Sequence, residues 1–396
     1  MAFLIENQLN NAIPTDFPGL LRNLFRAVLG VAFLALAAGA GAAPDLSKIV
    51  LPPGFHIEVF SDRVPNAREL ALGGMHDGKG VVYAGSFERG DVYALEIEDN
   101  HVTRVHTIAQ GLELPIGVAW HDDTLYVSAV SRIIKFEHID EHLNDPPQPV
   151  VVFDHLPAET HHGGRFLAFS PDGWLYVPVG APCNVCKRDE NQYGILERMH
   201  PDGSGVELMA KGIRNTVGFD FSPADGSAWF TDNGRDNMGD ELPSDKLNHL
   251  THPGQNFGFP YCHQGDLPDP EFGSQHPCSD FIPPVANLGP HVATLGMRFY
   301  TGKMFPQEYQ GNIFVAEHGS WNRSKKIGYR VARVVLTPSG AAQAVSVFAS
   351  GWLQVDVEGR EHVSGRPDDV LVMPDGALLV SDDTAGAIYR ITYQRP

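Results

Sequence analysis

At 396 residues the chain is long enough for one large closed domain, so length alone does not require two. Its 41 glycines and 30 prolines follow no short fixed period, and in a chain that is 43% hydrophobic they mean many tight turns rather than disorder. A net charge of −19, with no basic stripe anywhere, excludes nonspecific binding to nucleic acid, whose phosphates need a cationic surface.

Near the start, Arg22 and Arg26 precede an apolar run from Ala27 to Ala38, which ends in the small residues Gly39 to Ala43. Ala40-Gly41-Ala42 fits the A-x-A rule, so residues 1–42 are expected to be a signal peptide and 43–396 the mature chain. The run is short for a spanning helix and no second one follows. A bacterial periplasmic or secreted protein is expected, without stable membrane insertion after cleavage. Asp45 to Val64 reads as an opening strand around G-F-H-I-E-V-F.

Six copies of one pattern follow: a turn rich in Gly, Asp and Pro, then a strand with a bulky residue near its centre. The copies centre on Tyr83, Tyr126, Tyr176, Trp229, Phe314 and Leu379, at spacings of 43, 50, 53, 85 and 65 residues. H-D-G-K-G-V-V-Y-A-G and S-P-D-G-W-L-Y-V-P-V-G are two of them. A strand-rich, turn-punctuated repeat of roughly 40–50 residues is the signature of a β-propeller blade. The predicted fold is therefore all-β, a six-bladed β-propeller in one domain over 43–396. No long amphipathic helix is evident, with at most a helical turn near Arg188 to Gln192. The wide gap between Trp229 and Phe314 predicts an ordered insertion over residues 236–293. Ile388 to Ile391 is expected to pair with the N-terminal strand and close the ring, which leaves no exposed edge.

Four cysteines in an exported chain predict two disulfides, with Cys183–Cys186 and Cys262–Cys278 as the sequence-local pairing. A four-thiolate zinc site is the alternative. Lys187 stands where a covalent haem motif needs His, and no βαβ pattern surrounds C-N-V-C to make it a thioredoxin-like pair.

Five motifs carry candidate chemistry. T-H-H-G-G-R at 160–165 offers a histidine suited to taking a proton from an alcohol. G-I-R-N at 212–215 offers a forked cation for a polyanion. D-N-G-R-D-N-M-G-D-E at 232–241 interleaves acids, amides and Gly as a hard cation requires, although its spacing is not that of an EF-hand. A-E-H-G-S-W-N-R at 316–323 and G-R-P-D-D-V at 365–370 each flank a blade strand. Singly, each also reads as an ordinary polar loop or a surface ion pair.

Together, with N-F-G-F-P-Y at 256–261 and in this order, the motifs resemble the glucose/sorbosone dehydrogenase family of soluble sugar dehydrogenases. These enzymes use pyrroloquinoline quinone (PQQ), and the L-sorbosone dehydrogenase branch is the most similar. The resemblance runs from about Leu51 to Tyr393. It implies His161 as general base, with His162 at a variable position. It implies Arg214 and Asn215 on the quinone and Arg366 on a quinone carboxylate. Gly234 and Arg235 would offer backbone carbonyls to Ca²⁺, with Asp240 and Glu241 in the same calcium-rich region. Relative to glucose-oxidising members, Thr160 and Ala181 replace acidic residues, Leu112 falls near a glutamine, and Gly319 takes the place of a lysine. Arg323 or His318 would then substitute for that lysine. The expected function is PQQ- and calcium-dependent oxidation of an aldose or sorbosone-like sugar, with an unknown electron acceptor. The alternatives are a calcium-dependent lactonase-type hydrolase on the same fold and a non-catalytic binding propeller.

Overall fold

Each of the six anchors lies on the second strand of a blade. Tyr83 is on Lys79–Ser86, Tyr126 on Thr124–Ala129 and Tyr176 on Leu175–Val179. Trp229 is on Ala228–Asp232, Phe314 on Ile313–Glu317 and Leu379 on Leu378–Asp382. All six are buried. The computed structural model describes residues 44–395 apart from Pro338, and the expected leader, 1–42, lies outside the described residues. No helix among the described residues is long and apolar enough to cross a membrane.

The second strands are buried because each lies between the inner strand and the third strand of its sheet, with neighbouring blades packed on both faces. Tyr83 of the first blade thus packs in one cluster with Leu125, Val127 and Phe136 of the second. Six such antiparallel sheets make a six-bladed propeller. The sixth blade takes its outer strand, Phe55–Ser61, from the start of the described chain. That strand pairs antiparallel with Ala387–Tyr393, so the ring closes as the sequence predicts.

The expected insertion is smaller than 236–293. Ser244–Leu250 and Ala286–Pro290 are the third and fourth strands of the fourth blade, and only the chain between them leaves the sheet. That excursion lends Gln255–Asn256 to the third blade as a parallel fifth strand. It also carries the Cys262–Cys278 disulfide. Cys183–Cys186 is the other disulfide, so no thiol remains for zinc. The helical turn expected near Arg188 is a hydrogen-bonded turn, with Tyr193 N donating to Asp189 O at 3.0 Å.

Inner strands line the channel, and their backbone groups lack a ladder partner on that side. Carboxylates from other blades serve them. Asp369 of the sixth blade accepts from Leu70 N of the first at 2.9 Å. Glu69 of the first blade accepts from Val118 N of the second at 3.1 Å and from Leu167 N beside the third at 3.0 Å. Asp220 of the fourth accepts from Phe299 N of the fifth at 2.8 Å. Arg298 lies among these acids, 3.3 Å from Asp369. Burial works against its charge, but Asp369, Asp220 and Glu69 outweigh it and hold its pKa above the usual arginine value. Gly296 is required here, because a Cβ would sit 1.9 Å from Asp369 Oδ1.

Removing one partner of a buried ion pair typically costs about 3–5 kcal/mol. Asp369→Ala is therefore expected to lower the melting temperature by several degrees, and Gly296→Ala to do the same by displacing the carboxylate. Thermal melts check this, and two variants melting with the wild type would contradict the network's role.

Candidate functional site

The start of an inner strand and the end of a second strand meet at one end of an antiparallel blade. Loops at that end of the third, fourth and fifth blades line a cavity of about 220 Å³. His162 leads toward the third blade's inner strand; Arg214 and Asn215 lead toward the fourth's. Asn233, Gly234 and Asp236 follow the fourth blade's second strand, and Trp321 and Asn322 follow the fifth's. His291 and Asp245 complete the polar wall.

His161, the expected base, does not line this cavity. It is exposed, its ring 4.2 Å from that of His162. His162 lines the cavity instead, and the physical reason is its backbone. His162 has φ of 53°, the left-handed region that side chains seldom adopt, and this turns its ring inward. The motif's arginine holds that turn in place. Arg165 NH1 donates to His162 O at 2.9 Å, while Nε and NH2 donate to Val130 O and Pro157 O. Gly180 allows the close approach on the other side, since a Cβ there would lie 2.7 Å from His162 Cβ and 3.1 Å from Asn215 Oδ1.

The His162 ring hydrogen-bonds through Nδ1 to Ala181 O at 2.7 Å. A carbonyl only accepts, so in the neutral ring the proton is on Nδ1 and Nε2 carries the lone pair. Burial first, then the charges of Arg214 and His161, hold its pKa well below the usual histidine value.

Arg214 is buried, and its fork is held at Nε and NH2. Its Nε and NH2 donate to Asn184 O at 2.8 Å and Asn184 Oδ1 at 3.0 Å, and NH2 also pairs with Asp236 Oδ2 at 2.9 Å. Asn215 is tied through its N–H to Asp232 at 2.9 Å, which leaves its side chain to the cavity. Asn322 donates to Asp236 Oδ1 at 2.6 Å. Asp245 accepts from Gly234 N and Ala293 N, each at 2.7 Å. Burial raises its pKa to about 6 against those two bonds.

The remaining expected residues are elsewhere. Of Gly234, Arg235, Asp240 and Glu241, only Gly234 lines the cavity. The Arg235 side chain is buried away from it, on Asp269 at 2.6 Å and Glu271 at 3.2 Å. Ser324 N donates to the Asp240 carboxylate at 3.1 Å and Arg323 pairs with Glu241 at 2.9 Å, so all three are engaged outside the cavity wall. Arg366 donates to His318 O at 3.0 Å and Gly319 O at 2.7 Å. His318 is buried against Asp383 at 3.0 Å. Its group with Asp368 and Asp383 is the described residues' one cluster of close-set potential metal ligands, and Arg68 already pairs with both acids at 2.8 and 2.6 Å. Neither Arg323 nor His318 takes the missing lysine's place at the cavity. Sequence reasoning passed over Asp236, Asp245 and His291. Asp236 lies inside a quoted motif, whereas Asp245 and His291 carry no local signal.

The donor set is clear. Arg214 and the Asn215 amide face a space whose only lining acids, Asp236 and Asp245, are held by N–H donors; Asn233 Nδ2 is spent on Asn215 O and Thr294 O, and His162 presents an acceptor. Such a wall suits an anionic, oxygen-rich ligand. Trp321, 72% exposed, stands at the rim.

A family model described as TrAA12-like matches residues 49–394. An uncharacterized protein of Borreliella burgdorferi is 32% identical over 94% of this chain and 98% of its own length. A pyrroloquinoline quinone-dependent pyranose dehydrogenase of Coprinopsis cinerea is 32% identical over 124 residues, 28% of this chain and 16% of that protein. The holo form of its PQQ domain superposes with a TM-score of 0.75 at 19% identity, over 89% of this chain and 99% of that one. The calcium structure of a Trichoderma reesei AA12 carbohydrate-active enzyme superposes with a TM-score of 0.73 at 19% identity, over 88% and 97%. At these identities the superpositions speak for the fold.

Because folding keeps His162 from being protonated, the unfolded chain takes up the proton more readily. Stability is therefore lost as pH falls below about 6.5, the ordinary histidine value, toward the lowered one. His162→Asn, which tolerates the left-handed backbone, is expected to lose less melting temperature than the wild type between pH 7 and pH 5. Parallel melts at the two pH values decide it; equal losses would mean that His162 is not held neutral by folding.

Proposed function

The chain belongs to the TrAA12-like family, and from that premise we propose that it is a sugar oxidoreductase dependent on PQQ and Ca²⁺. Its substrate would be a pyranose, an aldose or a sorbosone-like sugar. The observation that carries this reading is a half-buried histidine, its Nδ1 held by Ala181 O, on one cavity wall with Arg214 and Asn215. The fit of a polycarboxylate rests on two donors: Arg214 and Asn215 would hold it, without Arg323 or Arg366. Gly234, with the backbone carbonyl of Arg235 after it, would hold Ca²⁺. When bound, the quinone supplies the two-electron acceptor and Ca²⁺ the Lewis acid that polarises it.

The base role moves from His161 to His162. With its proton on Nδ1 and held by Ala181 O, His162 presents Nε2 to the substrate hydroxyl and takes its proton there. The imidazolium that results keeps its Nδ1–H bond, so the ring does not turn as it charges. Arg165 fixes the backbone carbonyl of the same residue, and Trp321 offers an apolar face at the rim for a sugar ring. A calcium-dependent hydrolase would need free carboxylates at the cavity, and Asp236 and Asp245 are both occupied by N–H donors.

The test is reconstitution of the protein with PQQ and Ca²⁺, followed by a dye-linked sugar screen. His162→Asn is expected to lower kcat by about 10²–10⁴-fold, the usual cost of losing a general base. His161→Ala is expected to stay within a few-fold of wild type. Full turnover in His162→Asn, or loss confined to His161→Ala, would sink this assignment.

A further inference from the structure

Residues 182–188 form a loop that reaches the cavity's only arginine. No backbone–backbone hydrogen bond among the described residues starts from this stretch: the last donor before it is Ala181, to Arg214 O at 2.8 Å, and the next is Gln192. What closes the loop is the Cys183–Cys186 disulfide, across a sequence separation of 3. Inside that ring is Asn184, and its polar atoms all point one way. Asn184 O accepts from Arg214 Nε at 2.8 Å, and Oδ1 accepts from Arg214 NH2 at 3.0 Å and from Asp236 N at 2.8 Å. Its Nδ2 donates to Asp236 O at 3.2 Å.

We propose that Asn184 is the positioning residue of the Arg214–Asp236 pair, and that the Cys183–Cys186 cross-link exists to hold it there. The physical argument is entropic and geometric. A guanidinium has donors in a fixed fork, so it is aimed only as firmly as its acceptors are held. Two of its donors fall on one residue of a loop without a backbone ladder. A short covalent ring restricts that loop's conformers in place of the missing hydrogen bonds. Asn suits the position because it accepts from Arg214 and donates to Asp236 with one side chain, which an ionised Asp or Ala does not do. The positioning itself is independent of which ligand the cavity takes; only its consequence for cofactor binding rests on the quinone reading.

The experiment follows the Arg214 side chain directly, by hydrogen exchange of its Nε–H in NMR spectra of the protein, assigned with Arg214→Lys. In the wild type this proton is expected to exchange slowly. The Cys183→Ser/Cys186→Ser double variant frees the carbonyl acceptor and should speed exchange by at least about tenfold, the scale of a lost hydrogen bond to a buried charged group. Asn184→Ala should give a smaller acceleration, because its backbone carbonyl remains. Asn184→Asp, which keeps the acceptor for NH2, should recover most of the protection. Cys262→Ser/Cys278→Ser, in the neighbouring excursion, should leave it unchanged. Melting temperatures recorded alongside separate local release from global unfolding. Protection that is unchanged in the Cys183/Cys186 variant would overturn the proposal, as would equal loss in both cysteine variants. PQQ titration of the same samples, read by fluorescence, should weaken in parallel with exchange. If the wild type fails to bind PQQ, the quinone reading falls while the exchange result still decides the role of Asn184.

Discussion

The ring depends on one constraint: an inner strand has no sheet partner on the channel side, yet its backbone donors are buried. Unsatisfied buried N–H groups are costly, so side chains of other blades must serve them. Asp369, Glu69 and Asp220 do this, and each reaches a blade other than its own. Hydroxyls serve inner-strand carbonyls in the same way. Thr231 donates to Leu295 O of the next blade at 2.7 Å, and Ser381 to Arg68 O at 2.7 Å. The cost is a set of buried acids, and burial raises the pKa of Asp369 to about 6 against the charge of Arg298. Arg298 makes that concentration of acid tolerable. The blades are thereby locked by polar bonds at the axis as well as by apolar faces between them.

The same economy explains the cavity. A carboxylate at the end of a second strand holds the loop that enters the inner strand of the same blade. In the fourth blade Asp232 Oδ1 accepts from Arg214 N at 3.1 Å; in the sixth Asp382 Oδ1 accepts from Arg366 N at 2.9 Å. Arg214 and Arg366 are thus equivalent positions on two blades, and each grips carbonyls of the preceding blade's loop. Arg214 takes Asn184 O, and Arg366 takes His318 O and Gly319 O. Only Arg214 borders the cavity. The arginines are first of all staples between neighbouring blades, and one of them is placed where it can also meet a ligand.

That double use marks what a sequence can and cannot disclose. The blade count, the closure by the first strand and both disulfides were legible because each leaves a local mark: a buried bulky centre on every second strand, an apolar strand at each end, cysteines close in sequence. The insertion was drawn too wide because Ser244–Leu250, with Asp245, Lys246 and Asn248 buried, does not read as a blade strand. The arginines were harder still. Arg214, Arg323 and Arg366 look alike as candidates for a cofactor, and the choice between them is made by distant carbonyls and by Asp240 and Glu241. His161 and His162 differ only in which one occupies the left-handed turn, a backbone property that two adjacent histidines do not reveal.

The two stapled loops also differ in how they are held. In the fifth blade, His318 N, Gly319 N and Ser320 N donate to Ala293 O, Val292 O and Ile327 O, so the carbonyls offered to Arg366 are fixed by backbone bonds. The third blade's loop has no such bonds over 182–188, and its cross-link stands in their place. Asn184 O and Oδ1 in that stretch go to Arg214 rather than to a strand. A covalent ring supplies the rigidity from within the loop and leaves those acceptors to the arginine. The disulfide is thus a means of keeping that loop firm while its carbonyl and amide serve Arg214.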